Sequence, residues 1–273
     1  MRFCGEVGIM TTISFSLALG AYFLASFLYG AGIFFQRLGR IPALITGLGF
    51  LAHSAGLLHR TIEASHAPFA NLYESMIFFS WAIVLTSLVL EFRLKTRILG
   101  VVTTPLAFLA IASASMLPDH YKEITPLIPA LQSYWLEIHV ITCFLGYGAF
   151  AAAFGISILY LVKKHSKTNQ LSQEDRLDEL SYQTIAIGFP FLTLGIITGA
   201  IWANYAWGTY WSWDPKETWS LITWLIYAAY LHVRLRRDWR GNKAAWLSII
   251  GFAAVIFTYL GVNLILSGLH SYT

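Results

Sequence analysis

The sequence predicts an all-α, polytopic integral membrane protein of about eight transmembrane helices, with both termini outside. Three observations carry this reading. Hydrophobic residues make up 57% of the 273 and charged residues 12%, with a mean hydropathy of +0.61, a balance that ordinary soluble domains do not have. Apolar stretches long enough to cross a bilayer recur eight times. The basic residues gather in alternate loops.

Crossing the hydrocarbon layer takes roughly 20 residues of helix. Stretches near 11–35, 41–60, 72–92, 98–116, 135–162, 184–203, 219–235 and 244–266 meet that length. The first is too long for a cleaved signal peptide and lacks a clear small-residue cleavage site, so it is expected to remain as a helix. The loops after helices one, three, five and seven hold 14 of the 18 Lys and Arg. The opposite loops hold only Arg2, Arg60, Lys122 and Lys216. By the positive-inside rule the basic side is cytoplasmic, which puts both termini and the loop at 204–219 outside.

The link at 163–183 is expected to be cytoplasmic, with Ser172 to Asp175 reading as a capping box that opens a short surface helix. A solvated connector is the plainer expectation there. Pro190 permits a kink early in the sixth helix. Gly146, Gly148 and Gly155 in the fifth helix and Gly195 and Gly199 in the sixth permit close helix contact. Without an internal repeat or low-complexity tract, residues 1–273 read as a single transmembrane domain. Cys4 and Cys143 are isolated, which argues against a disulfide framework, a zinc site or a dithiol redox role.

One stretch stands apart. Residues 207–219 read WGTYWSWDPKETW, with Trp207, Trp211, Trp213 and Trp219 in thirteen positions. Two or three Trp would read as an interfacial belt. Four, with Gly208, Asp214, Lys216 and Glu217, suggest a platform for a large flat ligand. The pattern Trp-Gly-x-x-Trp-x-Trp-Asp resembles the tryptophan-rich WWD signature of haem-handling proteins in cytochrome c maturation. Its Pro-Lys-Glu-Thr-Trp ending resembles the CcsA (ResC) branch. The resemblance runs from about residue 68 onward, through Asn71 to Ser75 and Leu177 to Tyr182, and is weak over the first two helices.

Histidine is costly at depth in a bilayer, so depth sorts the eight. His139, near the outer end of helix five, and His270, just after helix eight, lie at the height of the Trp loop. By position alone an interfacial His is more often a solvated polar residue. The resemblance implies instead that His139 and His270 are axial ligands of an external haem, stacked on a shelf of Trp207, Trp211, Trp213, Asp214 and Trp219. His232, near the cytoplasmic end of helix seven, matches the family's internal haem ligand, its mate coming from a partner protein. A His snorkelling beside Arg234 is the alternative. His53 reads as hydrogen-bonded inside the bundle, and His59, His66, His120 and His165 as siteless. Asp214 and Glu217 bracket Lys216, so a local ion pair is the plain reading, with Asp214 shaping the loop as another. Lys216 or Arg60 suits a haem propionate, and the sequence does not choose between them.

What the resemblance implies is a membrane subunit of a cytochrome c synthase. It would move haem b outward and present it for thioether attachment to an apocytochrome c CxxCH segment, together with a CcsB (ResB)-type membrane partner. Alternatives are a CcmC-type haem-delivery protein and a b-type electron-transfer cytochrome. Nothing points to nucleic acid. A bacterial cytoplasmic membrane is the first expectation for location, a thylakoid membrane the second. The charge asymmetry makes a first prediction: a periplasmic-type reporter fused after Thr273 should be active and a cytoplasmic-type reporter silent, and the reverse pattern would invert every loop assignment.

Overall fold

A computed structural model describes residues 2–32, 35, 40–165 and 171–266. Eight long helices follow one another: α1 Arg2–Gly32, α2 Ile41–Ala64, α3 Leu72–Leu94, α4 Ile98–Ser115, α5 Tyr134–His165, α6 Leu171–Trp207, α7 Pro215–Arg237 and α8 Asn242–Ile256. The last continues through a π-helical turn, Phe257–Gly261, into a final helical turn, α9, Val262–Ile265. The chain is a polytopic membrane protein, as its composition predicted.

Among the described residues, seven of the helices are long and apolar enough to cross a membrane. The exception is α7, which the sequence reading had counted. Its buried residues are Thr223, Tyr227, Tyr230 and Arg234, every one with a polar end, and Arg236 and Arg237 stand in its last turn. A helix that turns its polar stripe inward loses hydropathy while keeping an apolar outer face, on which Leu225 and Leu235 are exposed.

The chain divides into two compact units, Met1–Gln132 and Ser133–Thr273. In the first, α2 packs on α1 through glycines. A Cβ on Gly49 would lie 2.7 Å from that of Ala21, and one on Gly56 would lie 2.6 Å from the Phe15 ring. Lipid tails offer no hydrophobic drive between helices, so close packing and interhelical hydrogen bonds carry the association. Glu91 accepts from the Tyr29 hydroxyl at 3.0 Å and from the Gly100 amide at 2.8 Å, tying α3 to α1 and α4. His53 is fully enclosed, with Nδ1 3.1 Å from the Tyr22 hydroxyl, as expected. The Asn71 to Ser75 segment is an anchor. Asn71 caps α3 by accepting from the Glu74 amide, and buried Glu74 pairs with Arg60 at 3.0 Å.

In the second unit, α6 runs unbroken for 37 residues, through Pro190. The separate surface helix expected near Ser172 is therefore the N-terminal end of α6. Leu177 and Leu180 on it are buried, 1% and 6% exposed, which draws the segment into the bundle rather than leaving it a solvated connector. The same segment grips Arg234, which is not at the surface but buried. Its guanidinium donates to Asp178 and to Glu179 and lies over the Tyr182 ring, 5.2 Å from the centroid. Asp178 also accepts from the Gly241 amide at 2.9 Å, fixing the α7–α8 turn. Removing one partner of a buried pair strands the other charge. Arg234→Ala should therefore lose about 3–5 kcal/mol of stability, read by denaturation in mixed micelles, and Arg234→Met with Asp178→Asn should recover most of it. A loss below about 1 kcal/mol would mean the pair behaves as an exposed one.

Candidate functional site

The site is built on the seam between α5 and α6. Here α6 presents Gly188, Gly195 and Gly199, and the side chains of α5 fill the hollows. A Cβ on Gly188 would lie 2.8 Å from that of Ala149, one on Gly195 2.5 Å from Cys143 Sγ, and one on Gly199 2.6 Å from His139 Nδ1. Gly146 approaches the α6 backbone in turn, its would-be Cβ 3.1 Å from the Leu192 amide nitrogen. The expectation that Gly146, Gly195 and Gly199 admit close contact agrees with this; Gly188 completes the row.

This seam sets the chemistry of His139. Its Nδ1 lies 2.7 Å from the Gly195 carbonyl. A carbonyl oxygen only accepts, so Nδ1 carries the proton and donates. The tautomer is thereby fixed with a lone pair on Nε2. The imidazole stacks on Trp202 of α6, with centroids 6.2 Å apart and planes 16° apart. Trp202 in turn meets Trp207 edge-on at 4.8 Å.

His139 lines a pocket with Cys143, Phe144 and Tyr147 of α5, Ile196, Gly199 and Ala200 of α6, and Thr258 and Tyr259 of the π-helical turn. From the loop side, Tyr210, Trp211, Lys216 and Glu217 close it. A π-helical turn is rare, and such turns are frequent at functional sites.

The loop itself is Gly208 to Asp214, shorter than the 204–219 expected. Gly208, at φ +77°, ends α6 in the left-handed region, and its amide bonds the Asn204 carbonyl at 3.0 Å. Asp214 begins α7 as its N-cap. It accepts from the Lys216 amide at 2.9 Å, while Glu217 reaches back to the Asp214 amide at 3.2 Å. Glu217 also accepts from the Ser212 amide at 2.8 Å. Between these anchored amides Trp213 is held at φ +59°, a region costly for a residue with a Cβ. Two carboxylates thus fold the loop, and Asp214 also acts electrostatically on Lys216. The Asp-x-x-Glu capping pattern at 214–217 is the sequence signal that foretells it.

The four tryptophans separate. Trp211 lines the pocket, and its Nε1–H is buried with no partner among the described residues. Trp213 is 68% exposed and meets Trp211 edge-on at 5.7 Å. Trp207 lies in the last turn of α6, and Trp219, on α7, packs against Phe257 at 4.2 Å. They are not one flat shelf, because helix ends carry two of them. Trp202, which stacks on His139, lay outside the motif and was not anticipated.

Lys216 reaches away from the loop. Its ammonium donates to Asn263 Oδ1 at 2.9 Å, and Asn263 Nδ2 donates to the Tyr259 carbonyl at 2.6 Å. Burial pulls the Lys216 pKa down to about 8, with Asp214 opposing the shift. Arg60, the other cation considered, is engaged by Glu74 and by the Lys122 carbonyl at 2.8 Å. His232 is exposed on α7. His270 and the side chain of His165 lie outside the described residues. Among the described residues there is no cluster of three or more His, Cys, Asp or Glu suited to a metal ion.

This geometry sits within a recognised sequence family. Residues 69–270 match the cytochrome C assembly protein family. The chain is similar to the cytochrome c biogenesis protein CcsA of Guillardia theta, at 40% identity over 89% of this chain and 90% of that one. It is also similar to CcsA of Microcystis aeruginosa, at 39% identity with 92% and 93% coverage, and of Chlamydomonas reinhardtii, at 45% identity with 85% and 68% coverage. The chain belongs to the CcsA family of cytochrome c biogenesis proteins. In this CcsA-family chain the motif's role is therefore split, its acidic residues folding the loop and Trp211 facing the pocket. Glu217→Ala should speed amide hydrogen exchange at Ser212 and Asp214 while leaving α7 protected, because the Asp214 cap remains. Exchange unchanged at Ser212 would remove Glu217 from this role.

Proposed function

We propose that this chain is the haem-binding membrane subunit of a cytochrome c synthase, presenting haem b at the outer loop for attachment to an apocytochrome c CxxCH segment. The observation that carries this reading is His139. A histidine whose Nδ1–H is tied to a backbone carbonyl, and whose Nε2 is left to a pocket with aromatic walls, has the orientation used for metal ligation. The orphan Trp211 N–H in the same pocket fits a ligand with acceptor atoms. His270 supplies the second axial position in this proposal, and Trp211 with Trp213 covers the exposed edge.

The bond-forming step is the addition of a CxxCH thiol across a haem vinyl group. The sulfur bonds one vinyl carbon and the thiol hydrogen goes to the other, so no net oxidation occurs. The chain contributes orientation and two imidazoles that keep the iron six-coordinate. Reduction of the thiols falls to another protein, as this one has no CxxC. His232, exposed near the inner end of α7, is proposed as half of an internal haem site completed by a CcsB-type partner. Relatives from a cyanobacterium and from algae favour a thylakoid or cyanobacterial membrane over other bacterial membranes. The CcmC-type and b-type readings lose ground, the first to the near full-length likeness to CcsA, the second to the match with a cytochrome C assembly family.

His139→Ala and His270→Ala should each abolish holocytochrome formation in a strain lacking its own maturation machinery, and the double variant should be little worse. Added imidazole should partly restore either single variant by filling the vacant axial position. Trp211→Ala should also fail but ignore imidazole. Normal maturation by both His variants would remove the outer haem site and return the Trp loop to an interfacial anchor.

A further inference from the structure

Where the Nε2 lone pair of a histidine points depends on two torsions, and the second, about Cβ–Cγ, is broad and roughly two-fold when nothing restrains it. On α6, Gly195, Gly199 and Trp202 follow one another at spacings of four and three, which sets them on one face of the helix. All three meet the His139 ring. The Gly195 carbonyl accepts from Nδ1–H at 2.7 Å. Gly199 leaves room for the ring edge, since a Cβ there would lie 2.6 Å from Nδ1 and 2.7 Å from Cε1. Trp202 lies alongside, its centroid 6.2 Å from that of the imidazole and its plane turned by 16°. A single hydrogen bond fixes one point of a ring and leaves the plane free to turn about the N–H···O line. A parallel aromatic face restrains the plane as well.

Trp202 is 4% exposed and is not among the described residues that line the pocket, so it bears on the pocket through the imidazole rather than as a wall. It is itself backed. Trp207, in the last turn of α6, meets it edge-on with centroids 4.8 Å apart and planes 65° apart. An indole is rigid for its size, and one buried and backed in this way resists a ring that turns toward it. The other neighbour of Nδ1 is Cys143 Sγ at 3.7 Å. A thiol sulfur is a weak acceptor and adds little to the hold on the ring.

We propose that Trp202 is the positioning residue of His139. The Gly195 carbonyl fixes the tautomer, Trp202 fixes the plane of the ring, and Nε2 is thereby aimed into the pocket before any ligand arrives. This rests on the haem reading given above. Two consequences follow from the division of labour. A ligand that is already ordered adds no ordering cost when it binds. The plane of an axial imidazole also sets how the iron d orbitals split, so a residue that holds the plane tunes the metal without touching it. Trp202 stands outside the Trp-Gly-x-x-Trp-x-Trp-Asp pattern, yet it governs the side chain that the patterned loop closes over. It is a positioning residue, not a catalytic one.

The test uses the full chain in lipid nanodiscs and reads the ring with and without haem. In the haem-free protein, the imidazole nitrogen resonances of His139, assigned by their loss in His139→Gln, should show one Nδ1–H tautomer. Trp202→Leu and Trp202→Met, each checked for folding by its melting temperature, should broaden or split these resonances. Trp202→Phe keeps a flat face and should restore a single set. With haem added, the Leu and Met variants should bind about three- to tenfold more weakly, the scale of one aromatic pair. Their ferric low-spin EPR signals should broaden or shift as the imidazole plane loses definition. If a folded Leu or Met variant keeps the wild-type nitrogen resonances, or binds haem with wild-type affinity and g values, the positioning role is wrong and the haem site stands. If His139→Gln leaves the haem spectrum of the wild type unchanged, the haem reading fails, and the assignment of Trp202 as a ligand-positioning residue falls with it.

Discussion

The hydrogen bond from His139 Nδ1 to the Gly195 carbonyl depends on two helices lying unusually close, and much of the second unit follows from that closeness. In a bilayer, lipid competes with side chains for apolar contact on nearly equal terms. Helices therefore join where small residues let backbones and polar groups meet. Gly188, Gly195 and Gly199 make that row on α6. With a methyl group at Gly199 the imidazole would have to move, and with one at Gly195 the Cys143 thiol would. The seam thus sets both the position and the tautomer of the residue on which the proposed ligation turns. It also brings Trp202 to the face of the ring.

The remaining helices of this unit are joined by polar contacts placed inside an apolar envelope. Thr223 of α7 and Thr258 of the π-helical turn share a hydrogen bond at 3.0 Å, and both also bond the Trp219 carbonyl. Tyr227 lies flat on Phe150, with ring centroids 3.6 Å apart, and packs against Gly251. Toward the C-terminal end of α7, Arg234 gathers Asp178 and Glu179. From Thr223 to Arg234 this stripe descends about 16 Å along the helix. Such a helix is unfit to stand alone in lipid and well suited to an interior that satisfies it.

Between α6 and α7, the Trp-rich loop is shaped less by its tryptophans than by the two carboxylates that follow. Asp214 and Glu217 collect the amides of Ser212, Asp214 and Lys216, and the resulting turn forces Trp213 into a left-handed conformation. Trp213 is exposed while Trp211 lines the pocket, so a single segment serves the cavity wall and an exposed surface together.

Composition and periodicity alone determined the helix count and, to within a few residues, most helix positions, because crossing a bilayer imposes a length and an apolarity that are visible residue by residue. The motif was legible for the same kind of reason, since Trp density and the Trp-Asp-Pro step are local. The family, and His139 as the residue to examine, followed from it. Other features needed the tertiary structure. Residues 163–183 looked like a linker because they form the longest polar stretch, and only a distant partner, Arg234, explains why Asp178 is buried while Glu179 stays half-exposed. The four tryptophans looked like one shelf because sequence spacing does not say where a helix ends. Trp202 went unnoticed and the task of Lys216 stayed open because their partners, His139 and Asn263, lie 63 and 47 residues away. Local patterns specify local geometry, whereas a pairing across the bundle exists only once the helices have packed.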